Sequence, residues 1–89
     1  MQPWGELMKP LTLEQAKVLQ YGQVIYHRFW TNADRKTPQR FKVNGNPKTW
    51  KTRPNEVRVP LKRAMYEFMN LDERNLSDFT LEVDDQGGN

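Results

Sequence analysis

Cysteine is absent from the 89-residue chain, and histidine occurs once, at position 27. No disulfide can supplement the core, and no thiolate is present to hold a metal or act as a nucleophile. One imidazole without cysteine does not nucleate an ordinary zinc site, and carboxylates alone suit only weakly held hard cations. His27 lies amid strand residues and reads as a packing or surface side chain rather than a base. Long apolar runs are lacking too: nothing approaches the roughly 18 consecutive apolar residues that a membrane-spanning helix needs. The opening MQPWGELMKP has neither a basic leader nor an apolar stretch, which predicts no signal peptide. No glycine-rich loop precedes a lysine, and no serine stands in a nucleophile-elbow context. The pairs Asp72-Glu73 and Asp84-Asp85 are neighbours along the chain, not convergent groups, and read as solvated. The expectation is a soluble, cytoplasmic, non-enzymatic domain with no cofactor, no metal and no membrane contact.

What is present is charge of two signs kept apart. Residues 28–63 hold eleven Lys or Arg against Asp34 and Glu56, a local charge of +9. Residues 64–89 hold Arg74 against seven acids, a local charge of −6. The first 27 residues cancel, which returns the net +3. Such asymmetry bears on partners and self-association rather than on fold. The length suits one core and leaves no room for a second, and a chain of this size buries only about 60–65% of its unfolded surface.

Local signals divide the chain into an irregular lead-in (1–10), a single domain (11–83) and an acidic tail (84–89). Thr12-Leu13-Glu14-Gln15 fits a capping box, with Leu11 and Ala16 as a weak hydrophobic staple, and predicts a helix over about residues 13–19 that Gly22 ends. Gln23–Trp30 reads as a central strand, with Val24 and Tyr26 on one face and Ile25 and Phe29 on the other. The polar stretch TNADRKTP follows as a loop. Asn44-Gly45 between Gln39–Val43 and Asn46–Thr52 predicts a two-residue hairpin. That register sets Val43 opposite Asn46, Phe41 opposite Lys48, and Gln39 opposite Trp50. Phe41, Val43 and Trp50 then share one face, and Arg40, Lys42, Thr49 and Lys51 the other. Pro47 suits an edge or a bulge. After a second turn at 52–55, Val57, Val59 and Leu61 alternate with Arg58, Pro60 and Lys62 as a half-buried strand with a basic outer face. Residues 63–69 fit either a strand or a helix. Asp72 can cap one turn over 73–78, and 79–83 makes a last strand.

One short N-terminal helix, several short strands and a one-turn helix before the last strand predict a mostly β fold, a small SH3-like β-barrel. The alternative is an α+β domain with a second helix at about 61–70. Three stretches, LTLEQAKVLQYGQVIYH (11–27), TPQRFKVNGNPKTWK (37–51) and VRVPLK (57–62), followed by NLSDFTLE (75–82), together resemble a group of short tailed-phage and prophage proteins. The resemblance covers about residues 11–83, and its specific part is the block from Pro38-Gln39-Arg40 to Thr49-Trp50-Lys51. It implies a phage or prophage origin, a bacterial host cell and an SH3-like fold, and it brings no activity and no site residues. Ala64 departs from it, standing where the group has glycine.

The candidate site is the basic segment. Arg40, Lys42 and Lys51 on one hairpin face, Arg58 and Lys62 on the next strand, and Arg28 nearby have the composition of a nucleic-acid backbone surface. Cations at strand spacing, about 6.5–7 Å apart, can meet successive phosphates. Trp30 and Trp50 supply stacking platforms wherever their rings reach the surface. The competing reading is a solvated strand face whose lysines deter edge-to-edge pairing, with Trp50 buried beside Phe41 and with the acidic third covering the cations. DNA or RNA is the first expected partner and a host protein the second, with a virion component as a third role. The expected state is a monomer or weak homo-oligomer.

Overall fold

The computed structural model describes residues 9–81. The expected lead-in, apart from Lys9 and Pro10, the end of the last strand at 82–83 and the acidic tail at 84–89 lie outside the described residues. The elements are α1 (Leu13–Lys17), β1 (Val24–Thr31), β2 (Pro38–Val43), β3 (Lys48–Trp50), β4 (Arg53–Ala64), β5 (Glu67–Asp72), a 3-10 turn (Leu76–Asp78) and β6 (Phe79–Thr80). About half of the described residues are strand, in one strongly curled half-barrel sheet of the small β-barrel type. The pairings are antiparallel, in the order β3-β4-β2-β1-β6, with β5 on β4 as well.

The capping box forms as its residues require. The Gln15 backbone N–H donates to Thr12 Oγ1 (3.1 Å), and the Thr12 N–H donates to Gln15 Oε1 (3.0 Å). The helix stops at Lys17, two residues earlier than expected. Gly22 sits at φ +89°, in the left-handed region that glycine adopts without strain. Its N–H donates to the Val43 carbonyl, and the Val43 N–H donates to Gln23 O, both at 2.8 Å. The reversal is thereby tied to the end of β2. Strand alternation builds the core: Ile25, Phe41, Val43, Val57, Val59, Leu61, Leu71 and Phe79 are buried, and Leu11, Ala16 and Leu19 close over them.

β4 organises the sheet, and it overturns two local expectations. The hairpin across Asn44-Gly45 does not form. Along one edge of β4, Lys42 and Val43 pair with Lys62 and Leu61, and Lys48 and Thr49 pair with Arg58 and Val57. β2 and β3 therefore form one interrupted strand along that edge, and residues 44–47 bulge away between them, five steps on their side spanning three on β4. Val43 opposes Leu61 instead of Asn46, and Phe41 opposes Ile25 instead of Lys48. The tight turn lies one strand later, at Lys51-Thr52, where Trp50 pairs with Arg53, so the turn expected at 52–55 begins a residue early. β4, with Val57, Val59 and Leu61 buried, takes β5 along one edge and β2 and β3 along the other. Gly45 is not in the left-handed region that a type I′ turn demands. A Cβ there would lie 2.7 Å from Pro60 Cγ, so close approach to β4 is what needs a glycine. Pro60 accepts at its carbonyl from the Asn44 N–H (2.8 Å). Its missing donor costs nothing opposite a bulge.

The alternative second helix at about 61–70 is likewise overturned. β4 continues to Ala64, a turn occupies Met65-Tyr66, and β5 pairs back with Val59 opposite Leu71 and Leu61 opposite Met69. A helix would have aligned Leu61, Met65, Phe68 and Met69, but Met65 and Phe68 are exposed. The register slips by one residue between Lys62 and Ala64. Among described non-glycine residues only Arg35 has a positive φ, 59°, so Ala64 fits without strain where the resemblance implies glycine.

The Gly45–Pro60 contact sets a test. Gly45→Ala should destabilise the fold by about 1–3 kcal/mol in chemical denaturation, as overpacking does, and the loss should shrink in a Pro60→Ala background. An equal loss in both backgrounds would show that the contact is not the cause.

Candidate nucleic-acid interface

The geometry of the site begins with an irregularity in β1. Val24, Ile25 and Tyr26 pair one-for-one with Lys42, Phe41 and Arg40, yet the next pair is Thr31 with Pro38. Five steps on β1 span two on β2, so three extra residues bulge from β1. Their backbone donors need an acceptor, and His27 supplies it: Nδ1 accepts from the Phe29 N–H (3.1 Å) and from the Trp30 N–H (3.0 Å). His27 is 3% exposed. It stacks flat on Trp30, with centroids 3.9 Å apart and planes 2° apart, and meets Phe79 edge-on at 5.1 Å. Phe79 in turn meets Phe41 edge-on at 5.3 Å. An aromatic column thus runs from the core to Trp30, which is half exposed. The bulge also turns Phe29 outward to 47% exposure, away from the face it was expected to share with Ile25.

Burial holds the His27 pKa below its ordinary 6.5, opposed by the charge of Asp78. Only the neutral imidazole with its proton on Nε2 leaves Nδ1 free to accept.

On the outer face, Arg40 and Lys42 project on either side of buried Phe41, and Lys62 lies directly across from Lys42. With Arg63 they line a groove of about 410 Å3 that also includes Val24 and Glu67. Among the described residues no carboxylate lies within 4 Å of Arg40, Lys42 or Lys62, whereas Arg63 pairs with Glu67 and donates to Gln39 Oε1 (2.9 Å). A second, more apolar cleft of about 310 Å3 is lined by Trp30, Phe41, Arg63, Glu67, Phe68 and Met69. It adjoins the first along Phe41, Arg63 and Glu67.

Of the residues expected at a site, Arg40, Lys42 and Lys62 are brought together and Trp30 stands at the adjoining cleft. The others lie elsewhere. Trp50 is half-buried, with the guanidiniums of Arg53 and Arg58 over its ring at 4.4 and 5.8 Å. Lys51 is exposed in the β3–β4 turn and does not share a strand face with Lys42. Arg28 faces the 3-10 turn, donating to the Ser77 carbonyl at 2.6 Å and lying over Phe29 at 4.9 Å. Sequence reasoning missed Phe68, Met69 and Glu67 as site residues because the helix-or-strand ambiguity at 63–69 hid their face.

Of the four described acids in the C-terminal third, only Glu67 reaches the groove. Asp72 pairs with Arg74 and lies across from Arg58, and Glu73 accepts from the Val57 N–H. Asp78 acts on His27. Among the described residues no group of three or more His, Cys, Asp or Glu can hold a metal ion, and no helix is long and apolar enough to cross a membrane. Comparison of the chain with protein-family models, with curated proteins and with solved structures finds no match.

The histidine geometry generates a pH prediction. The unfolded chain, titrating near 6.5, takes up a proton before folded His27 does, so stability is full above that pH and declines below it. The decline levels off once the folded imidazole is protonated as well. Denaturation midpoints measured from about pH 7 to 5 should fall for the wild type. His27→Phe should flatten this fall while costing about 1–3 kcal/mol at neutral pH, since two backbone donors lose their acceptor. A variant as acid-sensitive as the wild type would assign the effect to other groups.

Proposed function

We propose that the protein is a non-enzymatic binding module that holds nucleic-acid backbone, with little sequence preference, in the groove of Arg40, Lys42, Lys62 and Arg63. The observation that carries this reading is the direct cross-strand pairing of Lys42 with Lys62, with no carboxylate among the described residues within 4 Å of either. Like charges directly opposite each other destabilise a sheet, and the core gains nothing from them. A polyanion offsets that repulsion, and phosphates spaced along a strand match cations projecting from neighbouring strands. The side chains stand on paired strands rather than on a loop, so little ordering is needed when a ligand arrives. The resemblance to phage and prophage proteins supports a setting in the cytoplasm of a bacterial host cell.

Titration of a labelled DNA or RNA oligonucleotide tests this reading. If four phosphates are neutralised, affinity should fall roughly a hundredfold between 50 and 200 mM salt. Replacing Arg40, Lys42 and Lys62 together with Gln should abolish most binding and flatten the salt dependence by about three contacts. The same variant should be as stable as the wild type or slightly more so, because the repulsion is removed. Undiminished affinity in the variant would place the surface elsewhere, and no binding at 50 mM salt would overturn the reading and turn attention to a protein partner.

A further inference from the structure

The cationic groove does not distinguish a duplex from a single strand, but the cleft beside it has a different chemistry. Its walls are Trp30, half exposed, and Phe68, 60% exposed, with Phe41 and Met69 at the base and the Arg63–Glu67 ion pair at the border with the groove. Large aromatic side chains so exposed are unusual on a small domain unless something covers them. Trp30 is moreover held in place: its ring is fixed flat against His27, and its backbone N–H is bound to the same imidazole. A rigid, half-open indole face loses little entropy on stacking. Lys62 Nζ lies 5.8 Å from the Phe68 ring centroid, so the second wall is continuous with the cationic face.

We infer that this cleft receives an unpaired nucleobase, stacked on Trp30 and Phe68, from a single strand whose phosphates lie along Arg40, Lys42 and Lys62. The inference rests on the proposed backbone binding and adds the class of ligand: single-stranded DNA or RNA, in preference to duplex. The occupant follows from charge and continuity. An aromatic cleft that opens directly onto cations with no carboxylate partner among the described residues suits a ligand carrying a flat ring next to an anion, and a single-stranded nucleotide chain presents both at every step. In a duplex the bases are stacked on each other and paired, and none is available to enter. The ion pair at the border adds a polar edge, Glu67 as acceptor and Arg63 as donor, toward the hydrogen-bonding edge of a base.

The test compares three fluorescein-labelled probes of equal length at 50 mM salt: a thymidine single strand, the same backbone made of abasic units, and a duplex. The full-length protein should bind the thymidine strand about 5- to 150-fold more tightly than the abasic strand, which corresponds to about 1–3 kcal/mol for one stacked base. Phe68→Ser alters an exposed side chain and should fold normally. It should lower affinity for the thymidine strand by a similar factor and change binding to the abasic strand little. Trp30→Leu should act in the same direction. Equal binding of thymidine and abasic strands by the wild type would overturn the cleft assignment while leaving backbone binding intact. A Phe68→Ser loss that is the same for all three probes would overturn it too. Failure of every probe to bind would overturn both readings.

Discussion

Two backbone N–H groups donating to one imidazole nitrogen govern much of this small domain. Three surplus residues in β1 leave donors that no neighbouring strand can accept, and a buried, unsatisfied N–H costs on the order of 1–3 kcal/mol. His27 Nδ1 takes two of them. With the bulge satisfied, β1 can bend, and pairing with β2 resumes at Thr31 and Pro38 after the interruption. The same ring then works as a packing surface, edge-on to Phe79 and flat against Trp30. One side chain thus settles the backbone, seals one end of the core and fixes the orientation of an indole at the surface.

The arrangement of charge follows from the sheet order. Because β2 and β3 share one edge of β4, cations that are far apart in sequence come into direct register: Lys42 with Lys62, and Lys48 with Arg58. β5 on the opposite edge brings acid only at its two ends, Asp72 across from Arg58 and Glu67 beside Arg63. Between those ends β5 offers Phe68 to Lys62 and Met69 to Leu61. The acids described on β5 therefore lie at the ends of the basic face, and among the described residues no carboxylate pairs with Arg40, Lys42 or Lys62 in its middle. Among the described residues, the split between basic and acidic stretches becomes a pattern across the sheet.

Elements governed by their own residues were legible in the sequence. Thr12 and Gln15 specify a cap wherever they stand three apart, Gly22 permits a left-handed reversal, and the alternation of Val57, Val59 and Leu61 allows only a half-buried strand. What could not be read depends on partners distant in the chain. Asn44-Gly45 serves equally as a type I′ turn or as a bulge, and the choice is made by β4, more than ten residues later. Residues 61–69 satisfy both periodicities until Leu71 and Met69 are seen opposite Val59 and Leu61. His27 had no visible role because its partners are the main-chain donors of a bulge, and a bulge is a mismatch between two strands that neither strand shows alone. For the site, Arg40, Lys42 and Lys62 were legible from strand parity. Lys51 and Trp50 were displaced by the hairpin register, which shifted by a whole strand, whereas Arg58 keeps its expected place on the strand that carries Lys62.

The cleft and the groove can be understood as two consequences of an incompletely closed barrel. A sheet that curls but does not close leaves a mouth, here lined by Trp30 from β1 and by Phe68 and Met69 from β5. In a closed barrel these aromatics would pack on one another and be lost to solvent. The bulge prevents it by anchoring Trp30 to His27 from behind, so that the indole lines the mouth without filling it. The one cation lining that mouth, Arg63, is paired with Glu67, since an unpaired ion in an apolar cleft is costly, and Arg40, Lys42 and Lys62 are not part of its lining. They stand on the outer face of β2 and β4, where water solvates them. The two surfaces meet along Phe41 and the Arg63–Glu67 pair, in which each charge neutralises the other at the rim. Apolar stacking and phosphate attraction are thereby kept adjacent but separate, the arrangement that a flexible chain of alternating flat rings and anions can satisfy at once.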